Sequence, residues 1–236
     1  MATVHLERRF QGPTERGQGG WTAHRFHRLI GEPVTLSLRA PVPLETDLVL
    51  VEQIDGWELV DPSGSEPVTV MTASPGLGDL PDAAPVTLDE AIEGRARFEY
   101  DGDHHPVPRC FSCGLQHDSM RVHGGPIGGD RYATDWTIPA WAAAGGEVDS
   151  GALWAAIDCA AAWYVCGSRG YKLSYTVQLA VEQLQPLELG ATYALVGWSG
   201  DGSAEWDGRK RHGASAAFAA DGTLVARSRS FWIAPR

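Results

Sequence analysis

One charged side chain lies inside an otherwise apolar stretch of this 236-residue chain. Asp158 is the only charged residue between Gly151 and Gly167, where its neighbours are Ala, Leu, Ile, Trp, Tyr, Val and Cys. An ionised carboxylate is costly to bury unless donors pair with it or its pKa rises. A desolvated carboxylate is a stronger base than one on the surface, so Asp158 is a candidate catalytic base. The alternative is a buried polar residue that is bonded to the backbone or to a core Tyr.

A second pair of titratable side chains lies in the first thirty residues. His24 and His27 stand beside Arg25 and Arg28 in a short and more polar stretch. One interpretation is a solvated basic face of a helix. The other gives His27 a role in a cleft, as the partner of Asp158.

Cys110 and Cys113 form a Cys-x-x-Cys pair that is followed by His117 and His123. Zinc takes four thiolate or imidazole ligands in a tetrahedron, so this spacing could hold a metal ion. A single Cys-x-x-Cys is a weak signal, however, and packed thiols in a loop or a redox pair are alternatives. We predict packed thiols, with no metal and no cofactor.

The densest basic run of the chain is Gly-Arg-Lys-Arg-His-Gly at 208–213. Arg209 and Lys210 in this run could bind phosphate groups, for which Arg and Lys are natural donors. Arg169 and Lys172 could do the same just past the apolar stretch. The alternative for the run is a solvated hairpin end.

The composition excludes some partners. A formal net charge of −11 argues against nucleic acid. No run reaches the about 20 apolar residues that a membrane span needs, and the first ten residues contain no apolar signal core. We therefore expect a soluble cytoplasmic protein with neither a nucleic-acid nor a membrane partner. Four Cys in this length do not suggest a disulfide framework.

Two stretches have the pattern of helices. Residues 151–165 carry apolar side chains on one stripe at helical spacing, namely Leu153, Ile157, Ala160 and Tyr164. Asp149 or Ser150 can cap the start of this helix, and Gly167 can end it. Because the segment is apolar nearly all round, we expect it to be buried and wrapped by a sheet. Residues 19–31 are a shorter and more polar candidate.

Strand patterns separated by turn signals account for much of the remaining chain. The predicted strands are 34–40, 48–54, 67–74, 131–138, 173–181, 191–199 and 223–233. Turn signals such as those at 199–203 and 220–222 favour antiparallel meanders. The predicted fold class is α+β.

Similar sequence features follow one another in the same order in the two halves of the chain. "GQGGWTAHRFH" precedes "VTLSLRAPVPL", and "VDSGALWAAID" precedes "YTVQLAVEQLQPL". A glycine step, a helix and an alternating strand in each half suggest a diverged internal duplication, with chance resemblance as the alternative. The Pro- and Asp-rich stretch 75–93 has the composition of a linker. We therefore expect an N-terminal unit at 1–93 and a C-terminal unit at 94–236.

Three segments together resemble the hotdog-fold thioesterases, in which an antiparallel sheet wraps around a long helix. "CFSCGLQHDSMRV" at 110–122 resembles the segment that commonly precedes the family's first strand, and "DSGALWAAIDCAAAW" is similar to its His-Gly-Gly…Asp helix. "DGRKRHGASAAFAADGTLVARSRSFWI" at 207–233 resembles its closing strand pair. The resemblance covers 110–235, and 10–75 more weakly. It implies two hotdog units in one chain, each an antiparallel sheet around a central helix.

The family places its catalytic carboxylate nine residues after the His of His-Gly-Gly, and Asp158 matches that position. Asp149 stands where the family has the His, Ser150 replaces the first Gly, and Gly151 matches the second. The missing His is a departure from the family's usual mechanism. The resemblance implies that Asp149, Ser150 and Gly151 shape the substrate cleft, and Trp154 could line an apolar pocket beside it.

In the first half, the same spacing runs from Gln18 through Gly19 and Gly20 to His27. In the resembled fold, the helix start of one unit faces the carboxylate of the other. The resemblance therefore implies that the N–H groups of Gly19 and Gly20 hold a developing oxyanion while Asp158 activates water.

The function implied by the resemblance is hydrolysis of a thioester of coenzyme A or of an acyl carrier. A first alternative is a hydratase or dehydratase that uses His27 and Asp158 as an acid–base pair, although the Asp-x4-His pattern of such enzymes is missing. A second alternative is a non-catalytic protein that binds acyl-CoA or a small apolar ligand, which the missing His favours. The resemblance also allows a homodimer of double hotdogs.

Overall fold

The fold is that of a computed structural model, which describes residues 2–100, 103–143, 147–168, 170, 172–203 and 205–236. Its α-helices are α1 (Gly19–Ile30), α2 (Leu88–Ala96) and α3 (Gly151–Gly167). Its strands are β1 (Thr3–His5), β2 (Val34–Leu38), β3 (Asp47–Gln53), β4 (Gly56–Asp61), β5 (Val68–Pro75), β6 (Gly125–Gly128), β7 (Arg131–Thr137), β8 (Tyr175–Gln183), β9 (Thr192–Ser199), β10 (Lys210–Phe218) and β11 (Leu224–Ile233).

The strands form one 11-stranded sheet in the order β1-β3-β4-β5-β2-β8-β11-β10-β9-β7-β6, and neighbouring strands are antiparallel. The two halves of the sheet join where Leu36 of β2 pairs with Leu179 of β8. Counted inwards from the edge strand β1 to this join, the strands of the first half are β1, β3, β4, β5 and β2. Counted inwards from β7, the strands of the second half are β7, β9, β10, β11 and β8. The strand order is therefore the same in both halves, with β6 added beyond β7.

Helix α3 lies in the core of the second half. It packs against β9 and β10, and nearly all of its side chains are buried, as its continuous apolar composition predicts. Ser150 precedes its first residue without a side-chain cap, whereas Asp149 Oδ1 accepts the Gly151 N–H at 2.9 Å. The predicted helix at 151–165 is thus confirmed, with two further residues at its end.

Helix α1 confirms the second predicted helix and packs directly against α3. Its start is capped by Gln18, whose Oε1 accepts the Trp21 N–H at 2.7 Å, and it ends at Gly31 with a left-handed φ of 81°. Gly20 is required for the approach of the two helices, because a Cβ there would lie 2.3 Å from the Trp154 carbonyl oxygen. The glycine step that the sequence suggested therefore sets the distance between α1 and α3.

Each of the seven predicted strands overlaps an observed strand, and the α+β class is confirmed. The sequence patterns missed β1, β4 and β6, which are short or carry little alternation, and β10 was expected only from the resemblance. The interpretation of 75–93 as linker is wrong for 88–93, where α2 begins. Thr87 and Glu90 form a capping box at its start, and the helix packs on β6, β7 and β9.

None of the helices in the described part of the chain is both long enough and apolar enough to cross a membrane.

We predict that Gly20→Ala lowers the free energy of unfolding by about 1 to 3 kcal/mol, because overpacking forces the backbones of α1 and α3 apart. Urea unfolding measures this change. The matched control is Gly19→Ala on the same helix turn, where the nearest atom to an added Cβ is Asp158 Oδ2 at 3.2 Å. A Gly20→Ala protein as stable as the control would contradict the proposed helix contact.

Candidate active site

The carboxylate of Asp158 is held where the two helices meet. Its side chain is buried, with the residue 4% exposed. Thr176 Oγ1 of β8 donates a hydrogen bond to Oδ1 at 2.8 Å. Gln18 Nε2 donates to Oδ2 at 2.8 Å, and the Gly20 N–H donates to the same oxygen at 3.2 Å. Donors from both halves of the chain therefore satisfy one carboxylate.

Burial raises the pKa of Asp158 to about 7, because desolvation disfavours its ionised form. The hydrogen bonds from Thr176, Gly20 and Gln18 act in the opposite direction and lower this pKa, whereas the nearby Cys110 raises it. A pKa near neutrality leaves a mixture of ionised and protonated carboxyl groups at neutral pH. Such a group can both accept and release a proton under physiological conditions.

Asp158 lines a cavity of about 460 Å³. Both halves of the chain contribute to its walls, including Gly19 and Val42 from the first half and Trp163 and Trp232 from the second. Among the described residues that line it, Asp158 is the one carboxylate, and most of the others are apolar. This volume and this apolar lining are typical of sites for small organic ligands.

The cavity extends from buried residues to the surface. Trp163 and Trp232 are buried in its wall, whereas Thr14, Arg16 and Arg39 are exposed and line the same cavity. Within the described ranges, neither arginine belongs to an ion pair. The exposed end therefore presents two cations, neither of which has a carboxylate partner among the residues that the structure describes, on a chain whose net charge is −11.

Helix α1 directs its N-terminus at the carboxylate and at the cavity. Gly19, its first residue, lines the cavity, and its position ahead of the helical hydrogen-bond ladder leaves its N–H without an intrahelical acceptor. The N-terminus of a helix carries partial positive charge and binds anions. The site thus combines a buried base with a backbone donor that could face a developing negative charge.

All four cysteines of the chain are buried and line this cavity: Cys110, Cys113, Cys159 and Cys166. The Sγ atoms of the first three lie within 4.8 Å of one another, a spacing that could also hold a metal ion. The ligand set considered from the sequence is not the one assembled, because His117 is exposed and His123 stacks on Phe98 with its Nε2 on the Gly114 carbonyl. The absence of a metal stays a prediction.

Several predicted site residues lie together on another face of α3. His27 and Trp154 have ring centroids 4.9 Å apart, and neither lines the cavity of Asp158. Asp149 pairs with Arg25 and lies 3.7 Å from Nδ1 of His24. Burial lowers the pKa of His24 to about 3 and also lowers that of His27.

The helix start that contains Asp149 does not reach the cavity either. Ser150 is half-buried, and a Cβ on Gly151 would lie 2.9 Å from the Trp21 ring and 3.0 Å from Nδ1 of His24. Asp149 and Gly151 therefore lie against α1 instead, and Ser150 does not line the cavity.

The basic residues expected to bind phosphate are placed apart from the cavity. Arg209, Lys210 and Lys172 are exposed and do not line it, and Arg169 lies outside the described residues. Arg209 donates to the Ala234 carbonyl at 2.7 Å, and Lys210 lines a separate cavity of about 270 Å³. Arg16 and Arg39, which the sequence analysis did not single out, line the exposed end of the cavity.

Sequence reasoning missed three residues that touch the carboxylate or its surroundings. Gln18 was noted only for its spacing, and Thr176 and Cys159 were not singled out. Thr176 lies on the predicted strand 173–181, and Cys159 directly follows Asp158. A polar or thiol side chain at a position predicted to be buried was the available sign that each of these residues could belong to a site. The direction in which each side chain points depends on how the two halves of the chain meet.

No protein-family model and no curated protein matches the sequence. The structure is similar to a proposed thioesterase II from Thermobifida fusca YX, with a TM-score of 0.61 at 16% identity, over 99% of this chain and 93% of that chain. It is also similar to a proposed thioesterase from Novosphingobium aromaticivorans DSM 12444, with a TM-score of 0.59 at 10% identity, over 99% and 95% of the two chains. The tesB protein of Mycobacterium avium subs paratuberculosis gives a TM-score of 0.56 at 13% identity, over 99% and 92%. At these identities the likeness establishes the fold, and it confirms the predicted hotdog fold.

Proposed function

We propose that this protein hydrolyses thioesters and that Asp158 activates the attacking water. The observation that carries the proposal is a buried carboxylate, held by three donors, in the wall of an apolar cavity beside the N-terminus of α1. The likeness to proposed thioesterases over nearly the whole chain supports the same reaction class.

In the proposed reaction, ionised Asp158 takes a proton from water as the oxygen attacks the thioester carbonyl carbon. The carbonyl oxygen becomes an oxyanion, which the N–H of Gly19 and the positive end of α1 stabilise. The carbon–sulfur bond then breaks, and the thiol leaves with the proton. The products are a carboxylic acid and a free thiol.

The contacts indicate different roles for the two glycines at the start of α1. From the sequence, the N–H groups of both Gly19 and Gly20 were expected to bind the developing oxyanion. Because the Gly20 N–H donates to Asp158 Oδ2, we assign Gly20 to holding the base and Gly19 to the oxyanion. Gln18 also positions the base, since its amide joins the carboxylate to the cap of α1.

The two ends of the cavity suggest how a substrate lies in it. The buried Trp163 and Trp232 and the half-buried Ala162 form walls that suit an apolar or aromatic acyl group. The exposed Arg16 and Arg39 suit the phosphates of coenzyme A or of a carrier's phosphopantetheine. We propose these two arginines as the phosphate contacts in place of the basic run at 208–213.

The shared strand order supports two hotdog units in one chain, joined through β2 and β8. The predicted boundary at 93/94 falls inside α2, and that helix packs on strands of the second half. We therefore propose a boundary within 76–87. In this arrangement the position equivalent to Asp158 is His27, which packs against Trp154, so we propose one working cleft per chain.

We predict that Asp158→Asn lowers kcat for a panel of short, medium and aromatic acyl-CoA thioesters by about 10²- to 10⁴-fold, the usual effect of removing a general base. An amide oxygen can accept from Gln18 and Gly20, and the Thr176 hydroxyl can turn to accept from the amide nitrogen. Folding should therefore change by no more than about 1 to 2 kcal/mol.

Thermal melts and turnover, measured on the same Asp158→Asn preparation, test this proposal. A clearly lowered melting temperature with unchanged turnover per folded molecule would identify a structural Asp. Tight acyl-CoA binding by the wild-type protein without turnover would identify a binding protein instead.

We predict that Arg39→Gln raises KM for an acyl-CoA by about 3- to 10-fold, as expected for losing a partly solvated charge-assisted contact. KM for the same acyl group on N-acetylcysteamine, which carries no phosphate, should not change. Arg209→Gln is the matched control, because Arg209 is also exposed but does not line the cavity. An increase confined to the Arg209→Gln protein would place the phosphates at 208–213 instead.

A further inference from the structure

The cysteines of this cavity form a cluster that the proposed hydrolysis does not use. Cys110 Sγ and Cys159 Sγ lie 3.9 Å apart, and Cys113 Sγ is within 4.8 Å of both. Cys110 and Cys113 belong to the loop before β6, whereas Cys159 belongs to α3. Two separate elements therefore bring their thiols to the same wall, next to Asp158.

We propose that Cys110 and Cys159 are a site of reversible oxidative modification, at which a hydroperoxide forms a disulfide that inactivates the neighbouring Asp158 site. The formation of the disulfide stands on the sulfur geometry alone, and only the loss of activity rests on the proposed function. Both cysteines line the cavity, which gives a small peroxide a route to them from the surface.

The contacts of Cys110 favour its reaction with peroxide. The Cys113 N–H donates to Cys110 Sγ at 3.5 Å, and hydrogen bonds from Cys113 and Cys159 lower the pKa of the Cys110 thiol well below its ordinary value. Thiolate is the form that attacks peroxide. By contrast, burial raises the pKa of Cys159, which stays a thiol until it reacts.

The reaction proceeds in two balanced steps. The Cys110 thiolate attacks the O–O bond of hydrogen peroxide and forms a sulfenic acid, and the departing hydroxide takes a proton to become water. Cys159 sulfur then attacks the sulfenic sulfur, the S–S bond forms, and the hydroxyl group leaves with the thiol proton as a second water. In total, two thiols are oxidised to a disulfide while one peroxide is reduced to two waters.

The disulfide would act on Asp158 through Gln18. A disulfide bond is about 2.05 Å long, so the two sulfur atoms must approach by nearly 2 Å from their present separation. Gln18 Nε2 lies 2.8 Å from Asp158 Oδ2 and 3.7 Å from Cys159 Sγ, so one amide contacts both residues. Displacing the Cys159 sulfur therefore changes the packing of the amide that positions the base.

We expect hydrogen peroxide to remove two hydrogens from the reduced protein, with peptide mapping assigning the cross-link to Cys110 and Cys159. Turnover should fall at least tenfold in parallel and return with dithiothreitol. Cys159→Ser should form no such cross-link, because the thiol that attacks the sulfenic sulfur is missing. Cys166→Ser is the matched control, because Cys166 lines the same cavity outside the three-thiol cluster and the cross-link should form as in the wild type.

Three results would overturn the proposal. These are a cross-link between Cys110 and Cys113, oxidation to sulfinic acid without any cross-link, and about one zinc per chain in protein purified without chelator and lost in Cys113→Ser. A Cys110–Cys159 disulfide with unchanged turnover would overturn the inactivation. Peptide mapping does not depend on turnover, so a protein that forms this disulfide but hydrolyses no thioester contradicts the proposed function and supports the modification site.

Discussion

The burial of Asp158 against the start of α1 constrains both halves of the chain. Its two oxygens accept hydrogen bonds from Gln18, Gly20 and Thr176, which lie on the cap of α1, on its first turn and on β8. The carboxylate is therefore solvated by protein donors only while α1, α3 and β8 are assembled. Burial raises the pKa of Asp158 to about 7 even though these donors lower it. The hydrogen bonds therefore stabilise the buried carboxylate, and at neutral pH the ionised and protonated forms are present in similar amounts.

The need to pair the buried Asp158 carboxylate also explains how closely α1 and α3 approach and where β2 and β8 join. The helices must approach closely enough for a backbone N–H of α1 to reach a side chain of α3, and Gly20 permits this because any Cβ would meet the Trp154 carbonyl. The central pairing of β2 with β8 brings Thr176 and the helix start of the other half to one place. His27 of α1 packs on Trp154 of α3, away from the cavity, so the two helices place different chemistry at their contact although the strand order of the two halves is shared.

Local patterns in the sequence were enough to predict α3, most strands and the need of Asp158 for buried partners, since a lone charge in an apolar helix must be paired. The partners themselves were not predictable, because Gln18 is 140 positions away and meets Asp158 only when two halves of the sheet join. The basic residues of the cavity were missed for the same reason. Arg209 and Lys210 form a dense run that does not line the cavity, whereas Arg16 and Arg39 are isolated in the sequence and both line it. The pairing of Cys159 with the Cys-x-x-Cys segment likewise depends on packing of a loop against α3.

The pH dependence of kcat/KM for thioester hydrolysis by the wild-type protein tests most directly whether Asp158 is the base. The base must be ionised to accept a proton from water, so kcat/KM should rise about tenfold per pH unit at low pH and level off above an apparent pKa of about 7. A profile that is flat from about pH 5 to 8 would contradict the claim, because no group that titrates in that range would then limit the reaction.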